Sequence, residues 1–492
     1  MLFTNKSICL ITPPSPFLLD ERVFLHIGIL KVGASLEEEG YKIDFLDLAG
    51  VENYYDVLGA YLKAHSQTKV FGITATTPQI PYAMKIAQYI KEKGEDTKII
   101  LGGTHVSLMH SAKKKEKSAG RASQDINKLQ EIFDVLVAGD GELSIFEALK
   151  FKEEIIDADN PRGDYFLSNE DFTNLPFPAR HLVDMDSYNY AIEGARATSL
   201  ICQLGCPYRC TFCGGRNSPF LRKIRTRGSD SIIEELRHLY DTYGFTGFMF
   251  YDDELNVNKE WETLLSKITK LQEDVGVDFK LRGFVKAELF TQKQADLMYK
   301  AGFRCLLTGF ESGDERILTN IDKNATIEDN TRCINFAKEA GLKVKALMSI
   351  GHAGESSESV RNTQQWLMET KPEDFDCTII STYPGSPYFD EAVRDGDKYT
   401  YTSPKTGDKL YQKNLDYFKD PDYYKGDPDG GYISYVWTDH LTAEDMVVQR
   451  DTLEREVRER LHIPFNPAGG FVKFEHSMGQ GELPPSVLKM NY

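Results

Sequence analysis

The chain has 492 residues, with 58 Lys and Arg against 75 Asp and Glu, for a formal net charge of −17. That field repels phosphate backbones and sets nucleic acid aside as a partner, and the length calls for two or three domains rather than one core. No run approaches the roughly 18 apolar residues of a membrane span, and the opening "MLFTNKSICLITPP" has one Lys and a short apolar run stopped by proline, unlike a signal peptide.

Residues 1–150 alternate strand-like and helix-like segments. "KSICLITPP", "YKIDFLDL", "KVFGITAT", "TKIILGG" and "FDVLVAGDGE" read as strands, most of them continuous apolar runs. "IGILKVGASLEEEG" and "PYAMKIAQYIKEKG" between them have helical spacing and end in glycine. Strands alternating with helices imply a doubly wound, Rossmann-like parallel sheet, with ligands bound beyond the carboxyl ends of its strands. The turns there are Pro13-Pro14, Thr76-Thr77, Gly102-Gly103-Thr104-His105 and Gly139-Asp140-Gly141-Glu142. Small or flexible residues let a ligand approach the backbone, and no GxGxxG follows the first strand, so a dinucleotide is not indicated.

Residues 151–194 read as a connector, extended at "LPFPARHL" (Leu175–Leu182) by its prolines. Residues 195–394 then repeat six strand–helix units, from "ARATSLIC" to "FDCTIISTYPGSP", which predicts a partial (β/α)6 barrel with reactive groups at the strands' carboxyl ends. Residues 395–492 read as a small C-terminal domain with one helix in "VWTDHLTAEDMVVQRDTLEREVRERLH". Its Tyr411, Tyr417, Tyr423, Tyr424, Tyr432, Tyr435 and Trp437 are expected to form that domain's core rather than line a pocket. "RKIRTRG" (Arg222–Gly228) is either a solvated loop or a small-anion site.

Four of the eight cysteines lie in "ICQLGCPYRCTFCGGRN", Ile201–Asn217. Cys9, Cys305, Cys333 and Cys377 are isolated in apolar runs and read as core residues. The chain is expected in the cytoplasm, where thiols stay reduced and clustered cysteines signal metal rather than a disulfide. Cys206, Cys210 and Cys213 have the spacing C-x3-C-x2-C, with no second Cys or His pair to complete a zinc site. An iron–sulfur cluster held by three thiolates, with one iron left open, fits them better. Cys202 sits at the end of a strand and is not expected to be a ligand.

This spacing resembles that of the radical S-adenosylmethionine (SAM) family. The resemblance implies a [4Fe–4S] cluster on Cys206, Cys210 and Cys213, with SAM on the open iron and Phe212 packed on its adenine. It places Asp252, Asp253 and Glu254 of "YDDE" toward the SAM ammonium, where carboxylates supply charge-assisted bonds; a helix-capping cluster is the competing reading. Glu311 and Ser312 of "GFES" match ribose contacts, or a capping pair. Arg282 matches a partner for the SAM carboxylate, or a structural ion pair. Gly351 of "GHAGE" matches backbone contact with the nucleoside, or a tight turn.

The first 150 residues resemble the cobalamin-binding domains that precede such barrels, through "ITPPSP", "GILKVGASLEEEGYKIDFLDL", "VFGITATT", "IILGGTHVS" and "VLVAGDGE". The cobalamin contacts implied are Thr76, Thr77, Gly102, Gly103, Thr104, His105, Gly139, Gly141 and Glu142. The D-x-H-x-x-G motif of many such domains is missing: Asp20 and His26 are six apart, so no imidazole from that motif is expected on cobalt. Together the two halves resemble the cobalamin-dependent radical SAM enzymes, class B methyltransferase-like. That implies methylation of an unactivated carbon, or a phosphinate phosphorus, of a small molecule through methylcobalamin and a 5′-deoxyadenosyl radical. An electron donor such as flavodoxin or ferredoxin is implied as partner. A cyclase, oxidase or rearrangement enzyme shares the pattern; a sensor without turnover would not need the cysteine triad.

Overall fold

The computed structural model describes residues 6–18, 21–419, 423–424 and 432–463. Asp20 and the last part of the expected C-terminal domain lie outside them. Among the described residues no helix is long and apolar enough to cross a membrane.

The first sheet contains β1 (Ser7–Thr12), β2 (Lys42–Asp47), β3 (Val70–Thr74), β4 (Lys98–Gly102), β5 (Val135–Gly139) and β6 (Ile155–Ala158), all parallel in the order β2-β1-β3-β4-β5-β6. Successive residues of each strand feed opposite faces. Cys9, Ile11, Phe71, Ile73, Ile99 and Leu101 pack on the helices Ile80–Lys93 and Arg121–Gln130. Ile8, Leu10, Val70, Ile100, Val135 and Val137 pack on Ile27–Glu38 and Gly141–Ala148. Burial on both faces explains why these strands read as unbroken apolar runs. The chain reverses direction across the sheet between β1 and β3, which opens a crevice at their carboxyl ends. Buried Gln79 ties the two turns there together, donating to the Pro13 carbonyl (3.2 Å) and Ser15 Oγ (2.9 Å) and accepting from Thr76 N (3.0 Å). The sixth strand is a departure: it falls in the segment expected to be a connector, and its four residues at the sheet edge are too short to show a period.

The second sheet begins with the short β7 (Ala191–Ile192), antiparallel to β8 (Ala195–Leu200). A small hairpin of β9 (Gln203–Leu204) and β10 (Arg225–Thr226) follows. The remaining strands β11 (Gly247–Phe250), β12 (Lys280–Phe284), β13 (Phe303–Glu311), β14 (Lys343–Ile350) and β15 (Asp374–Ile379) run parallel to β8 in the order β15-β14-β13-β12-β11-β8-β7. These are the six parallel strands of the expected partial barrel, open between β15 and β7. Inside it Ala197, Met249 and Leu307 pack with Tyr190 and with Val23 and Phe24, which come from the first domain.

The C-terminal segment forms the antiparallel β16 (Val393–Asp395), β17 (Lys398–Thr402), β18 (Lys409–Lys413) and β19 (Val436–Trp437), and the helix Ala443–Leu461. Its aromatics do not make a separate core. Tyr417 and Tyr423 join the core of the first sheet, and Tyr432 joins that of the barrel, accepting from Ile379 N at 3.2 Å. Tyr411 and Trp437 stack on each other, 6.0 Å apart, within the small sheet. The helix Ala443–Leu461 closes the edge strand β15 with side chains: Glu454 accepts from Cys377 N (2.7 Å) and Arg450 donates to the Cys377 carbonyl (2.8 Å). Glu454 also holds Arg458 at 2.7 Å, so Glu454→Ala leaves the Cys377 amide without its acceptor and removes one of several partners from Arg450 and Arg458. The expected loss is about 2 kcal/mol of stability, read as a lower denaturant midpoint than wild type.

Candidate active site

The cysteine loop leaves β8 at the barrel's carboxyl end. Asp252, just past β11, fixes its start: Oδ1 accepts from Cys202 N (2.9 Å) and from Gln203 N. Gly205 turns with φ of +84°, where a side chain would lie 2.4 Å from the Lys223 carbonyl oxygen; only glycine fits both conditions. Cys206 N donates to the Leu221 carbonyl (3.0 Å), and Cys213 N to the Cys210 carbonyl (3.1 Å). Thr211 pins the far side, donating from N to Ile321 O (2.8 Å) and from Oγ1 to Asn320 O (3.3 Å).

With the backbone so occupied, the three thiols are left free of structural duty. Cys210 is buried, Cys206 half-buried and Cys213 exposed. Desolvation pushes all three up, Cys206 and Cys213 to about 12. Among the described residues, no three His, Cys, Asp or Glu side chains converge to hold one metal ion. A four-iron cluster does not ask for convergence, since each thiolate bonds its own iron, and a bound cation deprotonates coordinating thiols outright. Cys202 is a core residue beside β8, 1% exposed. The donor set of Cys206, Cys210 and Cys213 therefore fits a [4Fe–4S] cluster.

Around the loop, charges alternate. Lys323 and Lys286, 5% and 2% exposed, both act on Cys210. Lys323 Nζ lies 3.3 Å from Glu311, whose other oxygen accepts from Ser349 Oγ at 2.7 Å. Glu311 adopts φ of +66°, a costly conformation for a non-glycine residue, held by these two contacts. Ser349 continues to His352 Nε2 (2.9 Å), and His352 Nδ1 to Tyr388 OH (3.3 Å). Burial, then Lys323, brings His352 down to about 3, so it is neutral. Half-buried Phe212 faces this histidine, ring centroids 5.3 Å apart. On the other side desolvation lifts Asp252 to about 8, Asp253 to about 6 and Glu254 to about 7. Asp252 Oδ2 and Glu254 Oε2 have no hydrogen-bond partner.

Several expected residues sit otherwise. Arg282, midway along β12, hydrogen-bonds Tyr190 and faces Cys305 and Asp374. Ser312 is a capping residue, bonded to Thr363 Oγ1 (3.1 Å) and accepting from Asp314 N (3.1 Å). Gly351 N donates to Glu355 (3.0 Å), and its φ of +90° requires the glycine. The basic run is neither solvated nor an anion site, because Arg225 pairs with buried Asp140 and Arg227 with buried Glu235. Lys286, Lys323, Ser349, His352 and Tyr388 were not foreseen. A lysine in a loop reads as solvated until the fold buries it; His352 lies inside the glycine-rich turn already singled out.

The first domain contributes a cavity of about 490 Å³ at its switch point. Thr76, Gly102, Gly103, Thr104, Gly139, Gly141 and Glu142 line it, and it reaches Ile201, Leu204 and Tyr251 of the second sheet. Its inner part runs between Gly72, Ile100, Gly102 and Val137. A side chain at Gly102 would find no heavy atom closer than 4.0 Å, so that glycine keeps the groove open. Gly103 serves the turn instead, with φ of +99° and Ala75 backbone at 2.7 Å from a would-be Cβ. Glu142 is held by Lys31 at 2.5 Å. Thr77 and His105 do not line the cavity. His105 is buried behind it, bonded to Thr77 Oγ1 (3.2 Å), near the Tyr417 and Phe418 rings, and burial brings it down to about 3. His26 does line the cavity. A groove kept empty by glycine, opening onto a wider chamber, fits cobalamin with its nucleotide tail.

Comparison with known proteins agrees with both halves. The B12 binding domain matches residues 22–121 and the radical SAM superfamily matches residues 200–367. In this order the two matches give the chain the domain pairing of the cobalamin-dependent radical SAM enzymes, and with it a [4Fe–4S] cluster, SAM and cobalamin as cofactors. An uncharacterized methyltransferase of Pyrococcus horikoshii is 26% identical over 383 residues, 75% of this chain and 81% of that one. The anaerobic magnesium-protoporphyrin IX monomethyl ester cyclase of Rubrivivax gelatinosus is 24% identical over 357 residues, 68% and 61% of the two chains. The radical SAM methyltransferase TsrM of Kitasatospora setae, solved with cobalamin and a [4Fe–4S] cluster, shares the fold at a TM-score of 0.64, with 18% identity over 95% of this chain and 92% of that one.

Replacing Cys206, Cys210 or Cys213 by Ala is expected to abolish the cluster's visible absorbance after anaerobic reconstitution, and Cys202→Ala to preserve it. Iron content after desalting checks each variant.

Proposed function

We propose that this radical SAM enzyme is a methyltransferase that places one methyl group on an unactivated carbon, or a phosphinate phosphorus, of a small-molecule substrate. The observation that carries this reading is the single cavity joining the carboxyl edge of the first sheet to β8, β9 and Tyr251 of the second. Methyl transfer requires the methyl donor and the radical source to reach one substrate atom, and a cavity that extends from the cobalamin side to Ile201, Leu204 and Tyr251, beside the start of the cysteine loop, supports that reading. When bound, cobalamin supplies a transferable methyl group, and the cluster with SAM supplies the radical that opens an unreactive bond.

The chain's own residues then bind, orient and exclude water. Cys206, Cys210 and Cys213 hold the cluster, and Phe212 offers an aromatic face beside it. Asp253 and the unpaired Glu254 Oε2 offer acceptors for the SAM ammonium. Glu311, fixed by Lys323 and Ser349, presents a carboxylate of set orientation for ribose hydroxyls. Gly102, Gly103, Thr76, Thr104 and Gly139 line the cobalamin side. Phe17, Phe24, Tyr251 and Tyr424 wall the chamber with apolar surface, which keeps water from a reactive centre. A one-electron donor such as flavodoxin or ferredoxin supplies the reducing electron.

The similarity to the Rubrivivax cyclase favours a second reading, ring closure or oxidation with no methyl gained. One experiment separates the two: anaerobic incubation with SAM, reductant and cobalamin in a metabolite extract, followed by mass analysis. A product heavier by one methyl, labelled from methyl-labelled SAM, supports methyl transfer; a product lighter by two hydrogens supports the second reading. Gly102→Val, which fills the groove, is expected to prevent cobalamin uptake while leaving the cluster's absorbance unchanged.

A further inference from the structure

We infer that Asp159, with Asp140 beside it, is a positioning residue that couples occupancy of the first-domain cavity to the geometry of the cysteine loop. The inference rests on reading that cavity as the cobalamin site.

Strands β5 and β6 end side by side, with Gly139 opposite Ala158. The next residue of each is an aspartate, and both are 1% exposed. A carboxylate there has lost its water and must find donors. Both find them in the segment that closes the cysteine loop, in the other domain. Asp159 Oδ1 accepts from Ser218 Oγ (2.6 Å) and from Phe220 N (2.8 Å). Asp140 Oδ2 accepts from Arg225 and from Leu167 N (3.0 Å). Arg225 also donates to the Phe220 carbonyl at 2.8 Å, so the two aspartates grip one unit.

That unit holds the first cluster cysteine. Leu221, next to Phe220, accepts the hydrogen bond of Cys206 N (3.0 Å), and Arg225 pairs with Leu204 across the β9–β10 hairpin. Asp140, Phe220 and Leu204 are also cavity-lining residues. Whatever fills the cavity touches the anchor, the anchored segment and the hairpin at once. Close-packed interiors transmit such displacements rather than absorbing them. The remaining oxygens, Asp140 Oδ1 and Asp159 Oδ2, have no hydrogen-bond partner. Asp140 keeps a second tether outside the segment, the Leu167 amide, whereas the side chain of Asp159 is held by Ser218 and Phe220 of the segment alone and moves with it. Coupling of this kind is reciprocal: the cluster strengthens cavity binding by the factor by which cavity binding strengthens the cluster site.

The test uses full-length protein and hydroxocobalamin as the probe. Its dissociation constant is measured with the cluster in place and after iron removal, and iron release to ferrozine is timed with and without it. Wild type is expected to bind hydroxocobalamin about 5-fold or more tightly with the cluster present, and to release iron more slowly with it bound. In Asp159→Ala the binding survives, the ratio of constants falls toward one, and the protection of iron disappears. Asp159→Asn restores both, because its carbonyl oxygen keeps both acceptor bonds. Ser218→Ala, a milder change that removes one bond, falls between. Equal constants with and without the cluster in wild type, or an Asp159→Ala ratio equal to wild type, would overturn the coupling. A wild-type protein that binds no hydroxocobalamin overturns the reading of the cavity, and the coupling with it.

Discussion

Phe24 of the first domain packs edge-on against Tyr190 at 4.7 Å and leans on Tyr251 at 5.5 Å. With Val23 it enters the interior of the second sheet among Ala197, Met249 and Leu307. Burying two such side chains contributes roughly 3–6 kcal/mol, and it does so at one place, the inside of the open barrel. A half-barrel has an unfilled interior, and the first domain supplies part of the filling. The consequence is geometric. Parallel sheets bind ligands at their carboxyl edges, and this insertion turns the two carboxyl edges toward one another. The shared cavity follows from it, and so does the pairing of Asp140 and Asp159 with the segment after the cysteines.

A second constraint is charge. Three thiolates, Glu311 and Glu254 in a partly buried space would repel each other at several kcal/mol without cations. Lys323 and Lys286 meet that need from buried positions. Lys286 donates to the Lys323 carbonyl at 3.0 Å and lies 3.1 Å from Glu288, which fixes its ammonium beside the backbone of Lys323, whose own side chain pairs with Glu311. Glu311 in its left-handed conformation is the other half of the arrangement. A carboxylate held at φ of +66° by a buried lysine and a serine is strained locally and stabilised by its partners, the usual pattern where a side chain must point one way.

The architecture was legible because it is written in periods and spacings. Buried parallel strands give apolar runs, helices end in glycine, and three cysteines within eight residues have few chemical uses. What was lost has specific reasons. Strand periodicity shows which face Arg282 takes but not its height along β12. Register places it opposite Met249 and Cys305, away from the carboxyl edge where the SAM site was expected. His105 sits in the right turn, yet one turn offers residues to two sides: Gly102, Gly103 and Thr104 line the cavity while His105 faces the tail aromatics. Those aromatics were assigned to a domain of their own because sequence adjacency suggested it. Tyr417 and Tyr423 pack instead where the first sheet lacked cover. The basic run looked solvated because its acidic partners, Asp140 and Glu235, are distant in sequence or hidden on a helix.

Local rules are broken most densely in one place. Asp252, Asp253 and Glu254 follow one another at the end of β11, and desolvation leaves them reluctant to ionise. Asp252 answers half of its need through the amides of Cys202 and Gln203, which is structural work. Its second oxygen and one oxygen of Glu254 remain without a hydrogen bond, and among the described residues Lys323 and Lys286 act on Glu254 only from beyond ion-pair distance. A stability-driven sequence would replace one of these acids or supply a cation, since each unpaired buried oxygen costs about 1–3 kcal/mol. The arrangement makes sense if the missing cation arrives with a ligand. An ammonium group brought beside the cysteine loop would satisfy the orphan oxygens, so part of their desolvation cost is returned as binding free energy.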